Sequence, residues 1–368
     1  MKKIIIQKKT QPLMNNLNIL QLFNVSTVAK FPTTRYQGSK LKYVDWIWNC
    51  VKDLEFETAL DAFGGTSVVA YKFKKNGKSV TYNDILKFNS IIGKALIENN
   101  EEKIDEDDLD FILNKHLDIE YPDFIEKTFV DTYYTDEENR WLDTVITNIK
   151  LISNEYKRAI AYFALFQACI IKRPYNLFHR KNLYIRFQEV KRTFGNKVTW
   201  DTPFEVHYRN FINEANNAVF SNDEKNISIN KNVLEIKNTF DLVYIDTPYI
   251  SENGVGLDYL DFYHFLEGIM NYDNWEDMID QKSKHKRLIL NGSDWSRKEK
   301  IESAFESLIN QFQDSILAIS YRSDGIPSIE RITDILKKYG KEISIHESKE
   351  MKYVLSKKKS TEILIIAK

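Results

Sequence analysis

Thr58-Ala59-Leu60-Asp61-Ala62-Phe63-Gly64-Gly65-Thr66-Ser67 is the stretch on which the fold of this chain turns. A short apolar run ends in small residues and Val68 to Lys75 then reads as a helix, so a buried strand passes through a tight glycine turn into a helix. Ser79-Val80-Thr81-Tyr82 is a second short strand, closed by Asn83-Asp84. The result is a β-α-β unit with an acid roughly twenty residues after the glycine turn, the arrangement of an open, mostly parallel α/β sheet. Small residues let a ligand approach the backbone closely, and a carboxylate after the second strand can accept two hydrogen bonds from a vicinal diol. Gly77-Lys78-Ser79 imitates the end of a P-loop, but Lys72 stands where the first glycine is required, and no Gly-x-Gly-x-x-Gly fingerprint occurs.

Downstream, the apolar run Leu242-Val243-Tyr244-Ile245 leads into Asp246-Thr247-Pro248-Tyr249, which sets a carboxylate and an aromatic ring just past a buried strand. An acid, a backbone carbonyl, a stiffening proline and a flat ring suit the holding of an exocyclic amine on a stacked base. Upstream, Leu41, Val44, Trp48, Val51 and Leu54 share a helical face, so a helix over residues 41 to 54 follows Arg35-Tyr36-Gln37-Gly38-Ser39-Lys40. Further strand-like runs are Arg287 to Asn291, Ile316 to Tyr321, and a terminal hairpin from Lys352-Tyr353-Val354-Leu355 to Glu362-Ile363-Leu364-Ile365-Ile366.

Charge is segregated along the chain. The 368 residues carry 52 Lys and Arg against 53 Asp and Glu, so no global basic field exists and any nucleic-acid surface must be local. Residues 101 to 140 are acidic and read as a solvated helical surface turned away from a polyanion. Residues 172 to 210 carry nine Lys and Arg against three carboxylates, interleaved with Tyr175, Phe178, Tyr184, Phe187, Phe194 and Trp200. Cys50 and Cys169 are too few for a disulfide framework or a zinc site, and neither follows a proline as the nucleophile of a cytosine carbon-5 methylase does. The start Met1 to Ile6 imitates a signal peptide, but Gln7-Lys8-Lys9-Thr10 breaks it, so an intracellular protein is expected. His179 and His264 read as structural histidines.

In this order the segments resemble the alpha group of adenine-specific DNA methyltransferases of bacterial restriction-modification type, over roughly residues 33 to 367. Tyr36-Gln37-Gly38-Ser39-Lys40 is similar to motif X, Phe63, Gly65 and Ser67 to motif I (Phe-x-Gly-x-Gly), and Asp246 to Tyr249 to motif IV (Asp-Pro-Pro-Tyr) with Thr247 for its first proline. Lys172 to Arg186, Ser320 to Gly325 and Ser356 to Glu362 also look like family segments. The resemblance implies a Rossmann-like methyltransferase fold with helices on both faces of a mostly parallel sheet. Its catalytic domain would span residues 31–100 and 232–368, with a helical or irregular target-recognition region inserted at 101–231.

It further implies S-adenosyl-L-methionine as cofactor and no metal. Tyr36, Gln37, Gly38, Lys40, Asp61, Phe63, Gly65, Ser67, Asn83, Asp84 and Asp246 would hold the cofactor, with Lys40 neutralising its carboxylate. Asp246, Thr247, Pro248 and Tyr249 would be catalytic: the Asp246 carboxylate and the Thr247 carbonyl accept the hydrogens of adenine N6, and Tyr249 stacks on the flipped base. Double-stranded DNA would meet Arg173, Tyr175, Asn176, His179, Arg180, Asn182, Arg186, Arg192, Lys197, Tyr321, Arg322 and Ser323. A monomer or weak dimer in the bacterial cytoplasm, associated with the nucleoid, is expected, with a cognate restriction endonuclease acting independently. Cytosine-N4 methylation, or a non-catalytic DNA-binding module keeping the cofactor fold, are the alternatives. Asp rather than Ser at the first position of motif IV favours adenine.

Overall fold

The computed structural model describes residues 29–189, 197–251, 256, 258–290, 292–348 and 361–368. Its centre is a seven-stranded sheet of order β3-β2-β1-β4-β6-β9-β8. Here β1 is Thr58–Asp61, β2 Ser79–Asn83, β3 Ile227–Ile229, β4 Leu242–Ile245, β6 Ile316–Arg322, β8 Ile343–Glu347 and β9 Glu362–Ala367; the short β5 (Ile250–Ser251) and β7 (Gly325–Ile326) form a separate ribbon. The pairs from β3 across to β6 are parallel, and β9 runs antiparallel to both its neighbours. The chain leaves β1 for β2 and β3 on one side and returns to β4 on the other, with Asp61 opposite Tyr244. This reversal opens a crevice at the carboxyl ends of β1 and β4, where ligands of open α/β sheets bind.

The continuous apolar runs reflect burial on both faces. Ala59, Tyr244, Ala318, Leu364 and Ile366 point into one core, and Leu60, Val243, Leu317, Ile363 and Ile365 into the other, the alternation a strand imposes. Helices Ile301–Gln311 and Ile329–Lys338 cover the second face. The first face is covered by Val44–Val51, Val68–Lys75 and Tyr259–Met270, and also by the inserted helices Glu155–Ile171 and Phe204–Ala218. The insertion therefore shares one hydrophobic core with the sheet. Its sequence-based limit at 231 also moves, because β3 pairs in register with β2 and belongs to the sheet.

Other expectations change too. Arg287 to Leu290 form no sheet strand; Leu288 makes only an isolated bridge to Ile279, since β6 already occupies the place beside β4. Asn291, residues 1–28 and the 352–355 arm of the terminal hairpin lie outside the described residues; the described arm is β9, which pairs with β6 and β8. Leu41 sits in a 3-10 turn and is 46% exposed rather than part of the helix face. Among the described residues no helix is long and apolar enough to cross a membrane.

The acidic segment is not merely solvated. Asp105 with Asp108, and Thr135 with Glu138, form reciprocal capping boxes that start helices Glu106–Leu113 and Asp136–Leu151. Asp143 is buried, accepting from the backbone N–H groups of Ile125 at 2.9 Å and Glu126 at 3.0 Å and from the Tyr272 hydroxyl.

Candidate active site

The glycine turn is shaped by the second strand. A Cβ on Gly64 would lie 2.0 Å from the Tyr82 ring, and the Tyr82 hydroxyl donates to the Gly65 carbonyl at 2.8 Å, so the turn can close only over a bare backbone. Ser67, in the place of the motif's last glycine, adopts φ +63° and donates its hydroxyl to the Thr66 carbonyl. Ser67 does not line the cavity that opens beside the turn; Thr66 does.

That cavity, about 440 Å³, lies in the crevice between β1 and β4. One wall is Asp61, Phe63 and the glycine turn; the next is Asn83 and Asp84; Tyr36, Gly38 and Lys40 close a third side, and Asp246 and Pro248 stand at the end of β4. Asp84 accepts from the N–H groups of Gly65 at 3.0 Å and Leu86 at 2.8 Å and from the Asn89 amide at 3.1 Å. Burial raises its carboxyl to about 6, against the pull of those donors. Asn83 is spent on the scaffold, donating to the Ala62 carbonyl and accepting from the Lys231 N–H. Phe63 packs edge-on against Trp295, another cavity residue.

Asp61 is a cavity carboxylate with an unsatisfied oxygen. One oxygen accepts from the Ala70 N–H at 3.1 Å, while the other is buried without a partner among the described residues. Burial first, and then the negative charge of Asp246, push its carboxyl up to about 8. A buried acceptor without a donor, in a cavity wall, is a place for a ligand's N–H or cation.

Lys40 does not wait for a ligand. Its buried ammonium lies 3.1 Å from Asp246 Oδ1 and 2.6 Å from Glu362 Oε1. Burial alone would lower its pKa, but the two carboxylates hold it well above the ordinary lysine value. Asp246 in turn is raised to about 6, mostly by burial, with Lys40 pulling it down and Glu362 pushing it up. Thr247 is buried and does not line the cavity, and its carbonyl accepts no hydrogen bond among the described residues. Tyr249 lies outside the cavity wall as well, its ring 4.8 Å from the Arg322 guanidinium.

Tyr36 stacks on Tyr263 at 4.6 Å and on Tyr259 at 5.5 Å, and the Gln37 N–H donates to the Tyr263 hydroxyl at 2.7 Å, while the Gln37 side chain is exposed. Gly38 has φ +81°, and a Cβ there would meet the Tyr259 hydroxyl at 2.5 Å. Tyr259, Tyr263, Asn89, Trp295 and Glu362 were not found by sequence reasoning. The aromatic run Tyr259-Leu260-Asp261-Phe262-Tyr263 was the available signal for the first two.

The basic segment divides. Arg173 is buried, donating to the carbonyls of Tyr133, Leu177 and Arg180 and to the Asn182 side chain, and it stacks on the Tyr133 ring at 4.3 Å. Arg186 is buried in a two-pronged pair with Glu138 at 2.7 Å, and Lys172 joins the same carboxylate at 2.9 Å. Arg173 and Arg186 therefore serve the scaffold, because a guanidinium desolvated inside the insertion must be hydrogen-bonded or paired there rather than by phosphate, and Asn182 is one of the acceptors that hold Arg173. Tyr321 is also buried, against Phe305. Tyr175, Asn176, Arg180 and Lys197 are exposed, Lys197 paired with Asp201; Ser323 is exposed and Arg322 is clamped by Asp324. His179 sits half-buried, edge-on to Phe262, and Arg192 lies outside the described residues.

This division is testable. Arg173→Ala leaves several buried acceptors without donors and is expected to lower stability by about 3 kcal/mol in urea denaturation. Arg180→Ala is expected to change stability by less than about 0.5 kcal/mol. Equal effects would contradict the assignment.

The family model for D12 class N6 adenine-specific DNA methyltransferase matches residues 36–351. The chain is 29% identical over 348 residues to Type II methyltransferase M2.HphI of Haemophilus parahaemolyticus, covering 92% of this chain and 98% of that protein. It is 28% identical over 326 residues to Type II methyltransferase M.FokI of Planomicrobium okeanokoites, and 26% identical over 334 residues to Modification methylase StsI of Streptococcus sanguinis. Both of these matches cover 83% of this chain but only 47% and 46% of the relatives, so the chain spans about half their length. The match runs from the Tyr36 loop through the glycine turn and past Asp246, across the stretches of chain that build the crevice: the chain belongs to the D12 class N6 adenine-specific DNA methyltransferase family.

Proposed function

We propose that the crevice binds S-adenosyl-L-methionine along the glycine turn and presents a flipped adenine to Asp246. The observation that carries this reading is a single cavity joining the glycine turn, the Asp84 carboxylate, the unpartnered Asp61 oxygen and Asp246. Asp84, with both oxygens already fixed by backbone N–H groups, is pre-organised to accept from ribose hydroxyls. The free Asp61 oxygen suits the ammonium of the methionine part. When bound, the cofactor supplies an electrophilic methyl on a sulfonium centre.

The protein's own work is positioning. An adenine N6 lone pair is delocalised into the ring and is a poor nucleophile. Accepting its hydrogens on Asp246 and on the Thr247 carbonyl would turn the nitrogen toward tetrahedral geometry and aim the lone pair at the methyl group. No strong base is required, because the proton leaves after the nitrogen has become cationic. Tyr249 would stack on the base from the mouth of the site. Duplex DNA would run over the exposed Tyr175, Asn176, Arg180 and Lys197 surface, and the names of the type II relatives favour a restriction-modification setting with a separately acting endonuclease. The bacterial cytoplasm, near the nucleoid, is the corresponding location, with a monomer or weak dimer as the working form.

Expression in a methylation-free host, followed by direct sequencing of modified bases, tests the reaction and its target together. Modified adenine at one recurrent sequence is expected; modification of cytosine N4 alone would overturn the adenine reading. The cofactor placement is tested by titration calorimetry at pH 7. Asp61, with its carboxyl near 8, starts protonated and would ionise beside a bound cation, so binding is expected to release a proton and its heat to vary with the buffer's ionisation enthalpy. The same heat in every buffer would remove Asp61 from the cofactor site.

A further inference from the structure

We infer that Glu362, the first residue of the C-terminal strand β9, is a positioning residue for methyl transfer, acting on Asp246 through Lys40. Its carboxylate is fully buried and fixed from two sides: Oε1 accepts from the Ser320 hydroxyl at 2.6 Å and lies 2.6 Å from Lys40 Nζ, while its backbone is held in the ladder opposite Arg322. The same ammonium reaches Asp246 Oδ1 at 3.1 Å. One cation is thus divided between a rigid carboxylate in the sheet and a carboxylate on the loop after β4.

A buried carboxylate is costly and survives only with such compensation. The second carboxylate competes with Asp246 for the same ammonium. Its effect is geometric and electrostatic. Glu362 draws the ammonium toward the sheet, so that Lys40 holds Oδ1 of Asp246 at the longer distance. Asp246 Oδ2 makes no hydrogen bond among the described residues and stays available to accept from an amine. Among the described residues the groups facing Asp246 are Lys40, Glu362, Asp61 on β1, Tyr244 on β4 and Tyr259 on the helix Tyr259–Met270. Of these carboxylates, Glu362 is the one that shares the Lys40 ammonium.

The inference rests on Asp246 being the amine acceptor, and the test separates the two. Glu362→Gln in the full chain keeps the shape and the bond to Ser320 but removes the charge. At saturating S-adenosyl-L-methionine and plasmid DNA from a methylation-free host, kcat is expected to fall about tenfold or more, with little change in either KM. The acid limb of the pH–rate profile is expected to move to lower pH, because Asp246 loses a negative neighbour. Unchanged kcat with an unmoved acid limb would overturn the role of Glu362, as would a loss confined to KM. Should Glu362→Gln fail to fold, Ser320→Ala loosens the same carboxylate without removing its charge. A fall in kcat at unchanged cofactor affinity is then expected, and an unchanged kcat overturns the inference. Asp246→Ala is the control. If it still transfers methyl groups at a near-normal rate, the reading of Asp246 fails; if it is inactive while Glu362→Gln is normal, only the positioning role fails.

Discussion

Asp246→Ala is expected to reduce methyl transfer by about 10³-fold while leaving the fold and cofactor affinity nearly unchanged. Asp246 stands at the carboxyl end of β4 in the wall of the crevice, and its Oδ2 makes no hydrogen bond among the described residues. Removing it takes away the charged acceptor that reorients the amine, an interaction that matters most as the nitrogen becomes cationic. The fold survives because Lys40, the buried cation beside Asp246, keeps its closer partner Glu362 at 2.6 Å. Single-turnover transfer of a radiolabelled methyl group, with cofactor binding and thermal melting on the same preparation, checks the three parts. A variant within tenfold of the parent rate would exclude Asp246 as the amine acceptor.

Lys40→Met is expected to have the largest effect on stability, a loss of about 3–5 kcal/mol in urea denaturation near neutral pH. The substitution keeps the length of the apolar stem but leaves Asp246 and Glu362 facing one another without the cation between them. The sign of the pH effect follows from the same contact. Lys40 pulls the Asp246 carboxyl down from where burial would put it, so without Lys40 Asp246 protonates at higher pH, and the acid limb of any residual activity moves up. This runs opposite to the shift expected for Glu362→Gln. The sequence suggested a different role for Lys40, neutralisation of the cofactor's carboxylate. If Lys40→Met were as stable as the parent and defective only in cofactor binding, that role would be restored.

The contrast between Lys40 and Asp246 shows which parts of the site were legible in the chain. Asp246 follows a strand buried on both faces, and Asp84 follows another beyond a glycine turn. In each case the chemistry-bearing side chain is placed by its own neighbours in sequence. A strand that must end at the sheet's carboxyl edge delivers its next residue to the crevice, whatever the rest of the molecule does. The basic segment was legible only as composition. Its cations looked alike in sequence, yet Arg186 and Lys172 converge on Glu138 from the acidic segment, and Arg173 is enclosed by carbonyls and rings. Burial separated those three from the exposed Arg180, and burial is a property of the packed insertion.

By itself the sequence determined the β-α-β unit, the open parallel sheet, the crevice carboxylates Asp61, Asp84 and Asp246, and the family resemblance that the comparisons bear out. Each of those depends on short-range patterning: apolar runs of strand length, a turn that only small residues can make, and an acid at the strand's end. The tertiary structure alone decided which charges face solvent, that the insertion shares a core with the sheet, and that Lys40 is held between Asp246 and Glu362. Those outcomes depend on residues far apart in the chain meeting in a low-dielectric interior. There a charge must find its partner wherever the fold places one, and linear spacing carries no record of that meeting.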